Sequence, residues 1–251
     1  MEHSATRALA ILESLNRRPV SYVREIAQDT GISKPSIVRL LAILAEEGYV
    51  QRVDKAGAYA VTARVQTLSA GFHEAHSVIR ATRPRMDALT AKIAWPLALG
   101  VMERRAMVIR YSTIPKSPMA WYQNTFGARL SLGNSGMGQA VLAFLPEAAR
   151  NAALEEAEET AFFAQPHFDQ KALLERLAEV RARGYAVRAP GHRHRTTSIS
   201  VPILVDQSPV AGLSVTLFGR AMTPEDAGRR FAAPLQQLAS EVACELASGQ
   251  A

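Results

Sequence analysis

Two short stretches of the sequence carry residue types that enzymes use for catalysis or metal binding. Residues 133–137, GNSGM, are similar to the turn that presents a serine nucleophile, but they lack the final glycine of the G-x-S-x-G pattern. His192 and His194 alternate on a predicted loop, a spacing that could direct both at one metal ion. No acidic residue or cysteine lies beside them, and the neighbouring Arg193 and Arg195 would repel a cation. Neither stretch predicts a complete site.

Other candidates for chemistry are also incomplete. Gly136 and Gly138 do not form the full glycine pattern of a dinucleotide-binding loop. His73 and His76 are three residues apart on a presumed helix, which is more typical of a solvated face than of a metal site. The single cysteine, Cys244, excludes an intrachain disulfide, and its helical spacing indicates a small core residue. The sequence therefore predicts no enzyme activity, no cofactor and no metal.

Composition and charge narrow the class of partner. The 251 residues are 48% hydrophobic and 21% charged, which is ordinary for a globular protein with a sizeable core. The formal net charge of +6 favours an anionic partner without naming it. No apolar stretch approaches the roughly 20 residues that cross a bilayer, and the start MEHSATRAL lacks the order of a signal peptide. We expect no membrane partner and a cytoplasmic location.

Residues 31–52, GISKPSIVRLLAILAEEGYVQR, combine a helical core pattern with cations. Ser33 is placed to cap a helix, and Pro35 fits its first turn because a backbone N–H there has no helical partner. Gly48 is placed to end the helix. The predicted buried stripe consists of four aliphatic residues at three- and four-residue spacing, Ile37, Leu40, Leu41 and Leu44.

The helices and strands predicted on either side of this helix indicate the fold to which it belongs. Residues 5–15 have the spacing of an amphipathic helix. A second helix is predicted after Ser21, which would cap it, and Gly31 would end it. Two strand-like runs flank residues 54–57, which have the composition of a hairpin turn. Three helices and a hairpin within about 60 residues are typical of a winged helix-turn-helix.

In that arrangement the leucines hold the third helix, and its opposite face lies in the major groove of DNA. Arg39 on that face would read a base, Ser36 would contact a base or phosphate, and Lys34 would add charge near the backbone. Arg52 and Lys55 on the hairpin are placed to bind flanking phosphates. A merely solvated helix face is the alternative. The first 75 residues hold nine basic and eight acidic side chains, so the positions of the charges carry the prediction.

The rest of the chain alternates helices and strands. Strands are predicted at residues 97–102, 106–112, 185–188, 198–205 and 210–217. Helices are predicted at residues 63–94, 137–159 and 168–183 and from Pro224 onwards. This order is typical of an α+β fold with an antiparallel sheet. We divide the chain into a winged helix-turn-helix domain (1–62), a linker helix (63–79) and a C-terminal domain (80–251).

Six stretches of the sequence share the pattern of one known family. The first domain contributes RALAILESL, VREIAQDTGISKPSIVRLLAILAEEGYVQR and AYAVTARVQTLSAGF. The second contributes GARLSLGNSGMGQAVLAFLPE, VRARGYAV and SISVPILVDQSPVAGLSVTLF. These stretches resemble the IclR family of bacterial transcription regulators over nearly the whole chain. The resemblance implies a C-terminal effector-binding domain of GAF-like architecture and no catalysis. It also implies a dimer or tetramer on a roughly palindromic double-stranded operator, with RNA polymerase as a partner if the protein is an activator.

Two sets of site residues are expected, the first from the helix-turn-helix pattern and the second from the resemblance. The expected DNA-binding residues are Ser33, Lys34, Pro35, Ser36, Arg39, Arg52 and Lys55. The expected pocket for a small organic acid contains Gly136, Met137, Arg188, Thr196, Ser198, Ser214 and Thr216. Some family members carry an acidic residue at the position of Arg188 and a cysteine at that of Ser198. This departure predicts a different ligand chemistry, in which Arg188 or Arg195 pairs with a carboxylate.

Within the family, AWPLALGVME and the RLSL…LAFLPE stretch are most similar to the branch that governs catabolism of aromatic acids such as hydroxyphenylpropionates. This implies an aromatic acid as effector. Its ring would lie against Trp121, Tyr122, Phe126 and Met137, although ordinary core positions are the alternative. Pro35 stands where the family commonly has a serine, so one hydroxyl is missing from the recognition helix. A ligand-binding or oligomerisation module without DNA readout and a small hydrolase are the alternative functions.

Overall fold

The structure is a computed structural model that describes residues 4–53, 57–69, 77–103, 106–119, 125–155, 170–191, 195–218 and 221–249. These residues form two compact units, one before and one after residues 70–76. Within these ranges, no helix has the length and apolar character needed to cross a membrane. Some residues singled out in the sequence lie outside the described ranges, namely Lys55, His73, His76, Trp121, Tyr122, His192, Arg193 and His194.

The helices of the first unit pack around one aliphatic core. They are α1 (Ser4–Leu15), α2 (Val23–Thr30) and α3 (Lys34–Glu46). Each contributes side chains that are completely buried, among them Ile11, Leu15, Ile26, Ile37 and Leu41. Because these side chains recur at helical spacing, each helix turns one apolar stripe inward. The three helices predicted from the sequence are confirmed.

A small antiparallel sheet completes the first unit. It contains β1 (Ser21–Tyr22), β2 (Val50–Arg52) and β3 (Ala58–Val61), with β3 in the middle. Val50 lies opposite Val61 and Arg52 lies opposite Tyr59, so β2 and β3 form the predicted hairpin around residues 54–57. The unit has the elements of a winged helix-turn-helix.

The predicted start of α2 is wrong by one residue. Ser21 is not the N-cap, because its backbone pairs with Tyr59 in β1 and its hydroxyl is buried without a hydrogen-bond partner. Tyr22 occupies the N-cap position, and its backbone N–H donates to the Glu25 carboxylate at 2.8 Å. The strand pairing, which involves residues far along the chain, determines where this helix begins.

The second unit is built on an antiparallel sheet. A 3-10 helix (Ala63–Ser69) follows the hairpin, and α4 (Ser77–Ile93) precedes the sheet. The strands are β4 (Leu97–Glu103), β5 (Ala106–Ser112), β6 (Arg129–Ser131), β7 (Ala186–Arg188), β8 (Thr196–Val205) and β9 (Ser208–Phe218). Their order is β6-β5-β4-β9-β8-β7, and each neighbouring pair is antiparallel. The predicted α+β fold is confirmed.

Helices cover both faces of this sheet. Besides α4 they are α5 (Gly136–Leu142), α6 (Glu147–Glu155), α7 (Gln170–Arg183) and α8 (Pro224–Ala247). On the face of α4 and α8, the core includes Leu97, Leu99, Val201, Val215 and Phe231. On the face of α5 and α7, it includes Met107, Ile109, Met137, Leu173 and Leu177. The second face is the one that also carries polar side chains.

Two predictions for this unit are wrong. The helix predicted over residues 137–159 is divided, because Pro146 has no backbone N–H with which to continue α5 beyond Leu142. The proline carbonyl instead accepts the N–H of Arg150 at 2.9 Å, in the first turn of α6. Cys244 is exposed and not a core residue, because α8 buries the side that contains Leu238 and Val242.

Candidate nucleic-acid interface and effector site

The face of α3 opposite its buried stripe is open to solvent. Ile37 and Leu41 are completely buried in the core of the first unit. Lys34, Pro35 and Arg39 are exposed, within the first two turns of the helix. The structure thus brings the predicted cations to one accessible surface at the N-terminal end of α3, the part of a recognition helix that contacts base edges.

The start of α3 is held by a hydroxyl pair. Ser33 occupies the predicted N-cap position, with extended backbone angles of φ −64° and ψ 141°. The sequence predicts that its hydroxyl caps a backbone N–H. The hydroxyl instead lies 2.9 Å from the hydroxyl of Ser36. Each hydroxyl retains further hydrogen-bonding capacity, so both remain able to bind a phosphate oxygen or a base edge.

The turn between α2 and α3 depends on a left-handed residue. Gly31 has φ of +70°, which favours glycine, and its N–H donates to the Ala27 carbonyl at 2.9 Å. The hydroxyl of Thr30 donates to the Ile26 carbonyl at 2.7 Å. These bonds end α2, and α3 begins after three further residues, so the two helices form a helix-turn-helix pair.

An ion pair connects α2 to the chain that follows α1. Arg18 donates to the Asp29 carboxylate at 2.6 Å, and the Ser14 hydroxyl donates to it at 2.8 Å. Burial opposes ionisation of Asp29, but the hydrogen bonds from Arg18 and Ser14 outweigh it and hold the pKa of Asp29 below its usual value. The hydrogen bond to Asp29 raises the pKa of Arg18. Both side chains stay charged at neutral pH.

The wing presents Arg52 at the end of β2, where it is exposed. The base of the hairpin is fixed by a hydrogen bond of 2.5 Å from the Thr62 hydroxyl to the Gly48 carbonyl. The guanidinium of Arg64 lies 4.8 Å from the centre of the Tyr49 ring, a cation–π distance. Residues that directly follow the wing therefore contact residues that directly follow α3.

In the second unit, the strand register collects polar side chains into two rows on the α5 face of the sheet. One row runs from Arg188 on β7 to Ser198 on β8 and Thr216 on β9. Directly opposed residues share a face, so these three side chains lie together. The adjacent row contains Ser200 and Ser214, whose hydroxyls are 2.7 Å apart.

The start of α5 lies against these rows because Gly136 has no side chain. A Cβ at Gly136 would come within 2.9 Å of the Ser200 hydroxyl and 3.1 Å of the Ser198 hydroxyl. Thr196 is also part of this region, since its hydroxyl accepts a hydrogen bond of 2.8 Å from Arg188. The structure therefore brings Gly136, Arg188, Thr196 and Ser198 together, as the family resemblance implies.

Ser200 is a member of this cluster that the sequence predictions missed. It is completely buried, and its neighbours are Ser214 and the backbone of Gly136. The available signal was the alternation in the stretch SISV, where Ser198 and Ser200 are two residues apart on a strand and so share a face.

Arg188 is the charged group of the cluster. Burial lowers the pKa of its guanidinium below the ordinary value, because partial removal from water disfavours the charged form. Among the described residues it forms no ion pair, and its hydrogen-bond partner is the neutral hydroxyl of Thr196. A partly desolvated cation beside several hydroxyls is suited to accept an anion, since a carboxylate would restore the lost solvation. Arg195, the other cation predicted to pair with a carboxylate, is exposed.

Met137 and Phe126 occupy different environments. Met137 is 2% exposed, and a Cβ at either Gly100 or Gly212 would collide with its side chain. The methionine therefore packs on the sheet between two glycines. Phe126 is exposed, with 58% of its surface accessible. The structure does not bring these two predicted wall residues into one environment.

The serine of the GNSGM stretch has a structural role. The hydroxyl of Ser135 donates to the Ser131 carbonyl at 2.6 Å and accepts the N–H of Gly138 at 2.9 Å. It is the N-cap of α5, and its donor and one acceptor site are occupied. In the parts of the chain that are described, no three His, Cys, Asp or Glu side chains lie close enough together to hold a metal ion.

Comparison with known proteins assigns the chain to a family. The model described as "IclR helix-turn-helix domain" matches residues 4–54. The model described as "Bacterial transcriptional regulator IclR C-terminal" matches residues 71–244, more than half of the chain. The chain belongs to the IclR family. It is accordingly a DNA-binding transcription regulator with a C-terminal effector-binding domain, and it is not an enzyme.

Individual proteins match nearly the whole length of the chain. HTH-type transcriptional regulator XynR of Escherichia coli is 28% identical over 243 residues, which is 93% of each chain. The crystal structure of IclR from Thermotoga maritima has a TM-score of 0.68 at 21% identity and covers 97% of this chain and 98% of its own. An IclR homologue from Microbacterium hydrocarbonoxydans, solved in complex with 4-hydroxybenzoate, has a TM-score of 0.62 at 19% identity, covering 98% and 100%. These structures share the fold.

Proposed function

We propose that this IclR-family regulator binds a double-stranded operator through α3 and the wing, and that a small organic acid, aromatic in character, binds beside Arg188 and changes operator binding. The observation that carries the proposal is the location of Arg188. A cation to which the described residues offer no ion pair lies next to a double row of hydroxyls on the α5 face of the sheet. This chemistry fits a carboxylate better than a neutral ligand.

The proposed DNA contacts follow from exposure and position on α3. Arg39 is assigned to a base edge, because it is exposed within the first two turns of the helix. Lys34, Ser33 and Ser36 are assigned to phosphates or base edges at the helix start. Arg52 and Lys55 of the wing are assigned to flanking phosphates. Pro35 is exposed in the first turn and adds an apolar surface in place of a hydroxyl.

The proposed effector contacts are arranged around the polar rows. Arg188 would pair with the carboxylate, and the hydroxyls would bind its second oxygen or a ring substituent; the hydroxyl set is Thr196, Ser198, Ser214 and Thr216. The aromatic character rests on the sequence resemblance to aromatic-acid regulators and on the 4-hydroxybenzoate bound to the Microbacterium homologue of similar fold. Gly136 provides the space beside Ser198 and Arg188, and Met137, the next residue of α5, is assigned to the site by the family resemblance.

We also propose that two or four copies of the chain act together. Helix-turn-helix proteins commonly bind palindromic operators as dimers, because one recognition helix spans only a few base pairs. Light scattering of the free protein and of its complex with a duplex would give the number of chains. A single chain in the free protein and one chain per duplex in the complex would contradict this part of the proposal.

The test combines salt dependence with a matched pair of ligands. Fluorescence anisotropy of a labelled duplex from the DNA upstream of the gene would be measured at increasing salt. Log affinity should fall linearly with log salt if lysines and arginines neutralise phosphates. Adding 4-hydroxybenzoate should then shift the curve, while 4-hydroxybenzamide, which has the same shape without the charge, should not.

Two outcomes would contradict the proposal, and each has its own meaning. A flat salt dependence would favour the alternative of a ligand-binding or oligomerisation module that contacts only protein. Equal effects of the acid and the amide would show that no cation in the site selects a carboxylate. The first outcome concerns α3 and the wing, and the second concerns Arg188.

A further inference from the structure

Val38 is an apolar side chain on the part of α3 that faces solvent. It lies in the second turn, and 50% of its surface is accessible. Pro35, Arg39 and Ala42 are exposed too, and they lie three or four residues from Val38 or from each other. Residues at this spacing share one helix face. Val38 therefore belongs to the same surface as Arg39.

The core of the first unit does not require an apolar residue at this position. The buried stripe of α3 is complete without it, and the exposed fractions of its members are 0% to 8%, namely Ile37, Leu40, Leu41 and Leu44. A β-branched side chain also lowers helix propensity relative to alanine, so Val38 does not favour the helix for its own sake. A single exposed valine is common on protein surfaces. What distinguishes Val38 is its position among the first residues of a recognition helix.

The chemistry of the major groove leaves one partner for such a side chain. Valine has no hydrogen-bond donor or acceptor, so it cannot distinguish the donor and acceptor patterns of base edges. Thymine alone among the four bases presents a methyl group there. An aliphatic side chain in the groove gains by covering that methyl, and at a cytosine it would cover a polar edge without a partner.

We propose that Val38 contacts the C5 methyl group of a thymine and is a determinant of operator sequence. The proposal rests on the proposed function, in which the exposed face of α3 lies in the major groove. It adds apolar readout to the hydrogen-bonding readout assigned to Arg39. Val38 and Arg39 are consecutive exposed residues of α3, so both contacts would fall in the same part of the operator.

The test removes the proposed contact first from the DNA, by replacing thymine, and then from the protein, by replacing Val38. The wild-type protein would first select its preferred duplex from a randomised library. Each thymine of that duplex would then be replaced singly by uracil, which keeps every hydrogen-bonding group and lacks only the methyl. At one thymine, the replacement should weaken wild-type binding about fourfold, the effect of burying one methyl-sized group. Val38→Ala should weaken binding to the thymine duplex by about the same factor. The variant should then bind the thymine and uracil duplexes with equal affinity.

Ile43→Ala is the matched control. Ile43 lies on the same helix with 49% of its surface accessible, but beyond the first two turns. Its replacement should preserve the full difference between thymine and uracil. Neither variant should unfold α3, because alanine raises helix propensity and both side chains are half exposed. Circular dichroism melting curves would verify that the variants are folded.

The outcomes separate this inference from the function on which it rests. If Val38→Ala still discriminates thymine from uracil at every position, or if the wild-type protein does not discriminate at any, Val38 does not read a thymine methyl. If the wild-type protein selects no sequence from the library, the proposed operator recognition itself fails. If Ile43→Ala loses the discrimination between thymine and uracil and Val38→Ala keeps it, the methyl contact belongs to Ile43 and the inference is likewise overturned.

Discussion

At Arg188 the protein keeps a guanidinium partly shielded from water, and among the described residues no carboxylate balances it. Such a group lowers the stability of the empty protein, because burial disfavours the charged form. A residue of this kind is retained more readily where a ligand supplies the missing charge. Arg188 therefore lowers the stability of the protein without ligand and, in the proposed complex, makes it select a ligand with a carboxylate.

Replacing Arg188 by methionine separates these two effects. Arg188→Met should weaken binding of 4-hydroxybenzoate by about 1.5 to 3 kcal/mol, the range for hydrogen bonds to charged groups. The unliganded protein should melt at the same temperature or higher, because an unbalanced charge is replaced by a side chain of similar length. Calorimetry would measure both quantities. Arg195→Met, which alters an exposed cation nearby, is the control and should change neither.

The two cations of α3 are expected to behave differently. Arg39→Ala should cost about 1 to 3 kcal/mol on the selected operator and relax its preference at one base pair. Lys34→Ala should weaken binding to selected and random duplexes alike and reduce the slope of log affinity against log salt by about one. Gel-shift titrations on both duplexes would measure this. An equal loss for Arg39→Ala on both would mean that Arg39 contacts only phosphate.

At the scale of elements, two glycines of α5 provide a matched pair of mutations. A Cβ at Gly136 would meet the Ser198 and Ser200 hydroxyls, which can rotate away at the expense of the Ser200–Ser214 hydrogen bond. A Cβ at Gly138 would collide with the backbone carbonyl of Leu132, which cannot rotate away. Gly138→Ala should therefore destabilise the second unit by about 1 to 3 kcal/mol.

Gly136→Ala should cost less than about 1 kcal/mol of stability and should still reduce effector binding, because its methyl group occupies the space in front of the serines. Thermal melting and calorimetric titration with 4-hydroxybenzoate would measure the two effects. If Gly136→Ala binds the acid as the wild type does, the space beside Ser198 and Ser200 is not the effector site.

The link between α1 and α2 gives a pH-dependent prediction. The folded-state pKa of Asp29 lies below its usual value, so its contribution to stability is complete above about pH 4 and declines as the pH falls through the folded-state pKa. Asp29→Asn should destabilise the first unit by about 1 kcal/mol at neutral pH, a modest loss because solvent screens the pair. The difference from the wild type should shrink in acid.

Hydrogen exchange of the α1 and α2 amides in the full chain would measure this difference. A difference that stays constant from neutral to strongly acidic pH would show that the Arg18–Asp29 pair does not carry the stability. Ser14→Ala is a useful companion, because it removes the uncharged donor to the same carboxylate and leaves the ion pair in place.

Local signals account for the elements that the sequence predicts correctly. α3 is predictable because Ser33, Pro35 and the leucine stripe act within the helix itself. β1 and β6 have two and three residues, and they exist only through pairing with β3 and β5. A short stretch of sequence does not show which distant residues will pair with it. For the same reason Ser21 is misread as a cap, and Ser200 is missed because its neighbours come from β9 and α5.

The candidate sites differ in how far the sequence predicts them. The exposed face of α3 follows from helical periodicity alone, because the side opposite a buried stripe is fixed by geometry. The polar rows of the sheet require the register of β7, β8 and β9, which depends on contacts between distant residues. Most residues of the polar rows are predicted from the motifs of the family. The partial burial of Arg188 beside neutral hydroxyls depends on its three-dimensional surroundings, which no motif encodes.

At the scale of the whole molecule, each unit has its own hydrophobic core. The first is built from α1 to α3, and the second from the two faces of the larger sheet. Separate cores are typical of domains that could fold independently, so unfolding of the full chain need not be a single transition. Stability measurements on variants should therefore be assigned to a unit by hydrogen exchange or by a local probe.

Communication between DNA and effector is constrained by thermodynamics whatever its route. If the acid changes operator affinity by some factor, the operator must change the affinity for the acid by the same factor, typically about 5- to 150-fold. We expect equal factors when 4-hydroxybenzoate is titrated with and without saturating operator, and operator with and without saturating acid. At the acid concentration that half-saturates the wild type, Arg188→Met should show little effect of the acid on operator binding, because little acid is bound, while its operator affinity without acid stays unchanged. Unequal factors would mean that one of the two ligands also changes the number of associated chains, so that the titrations do not compare the same species.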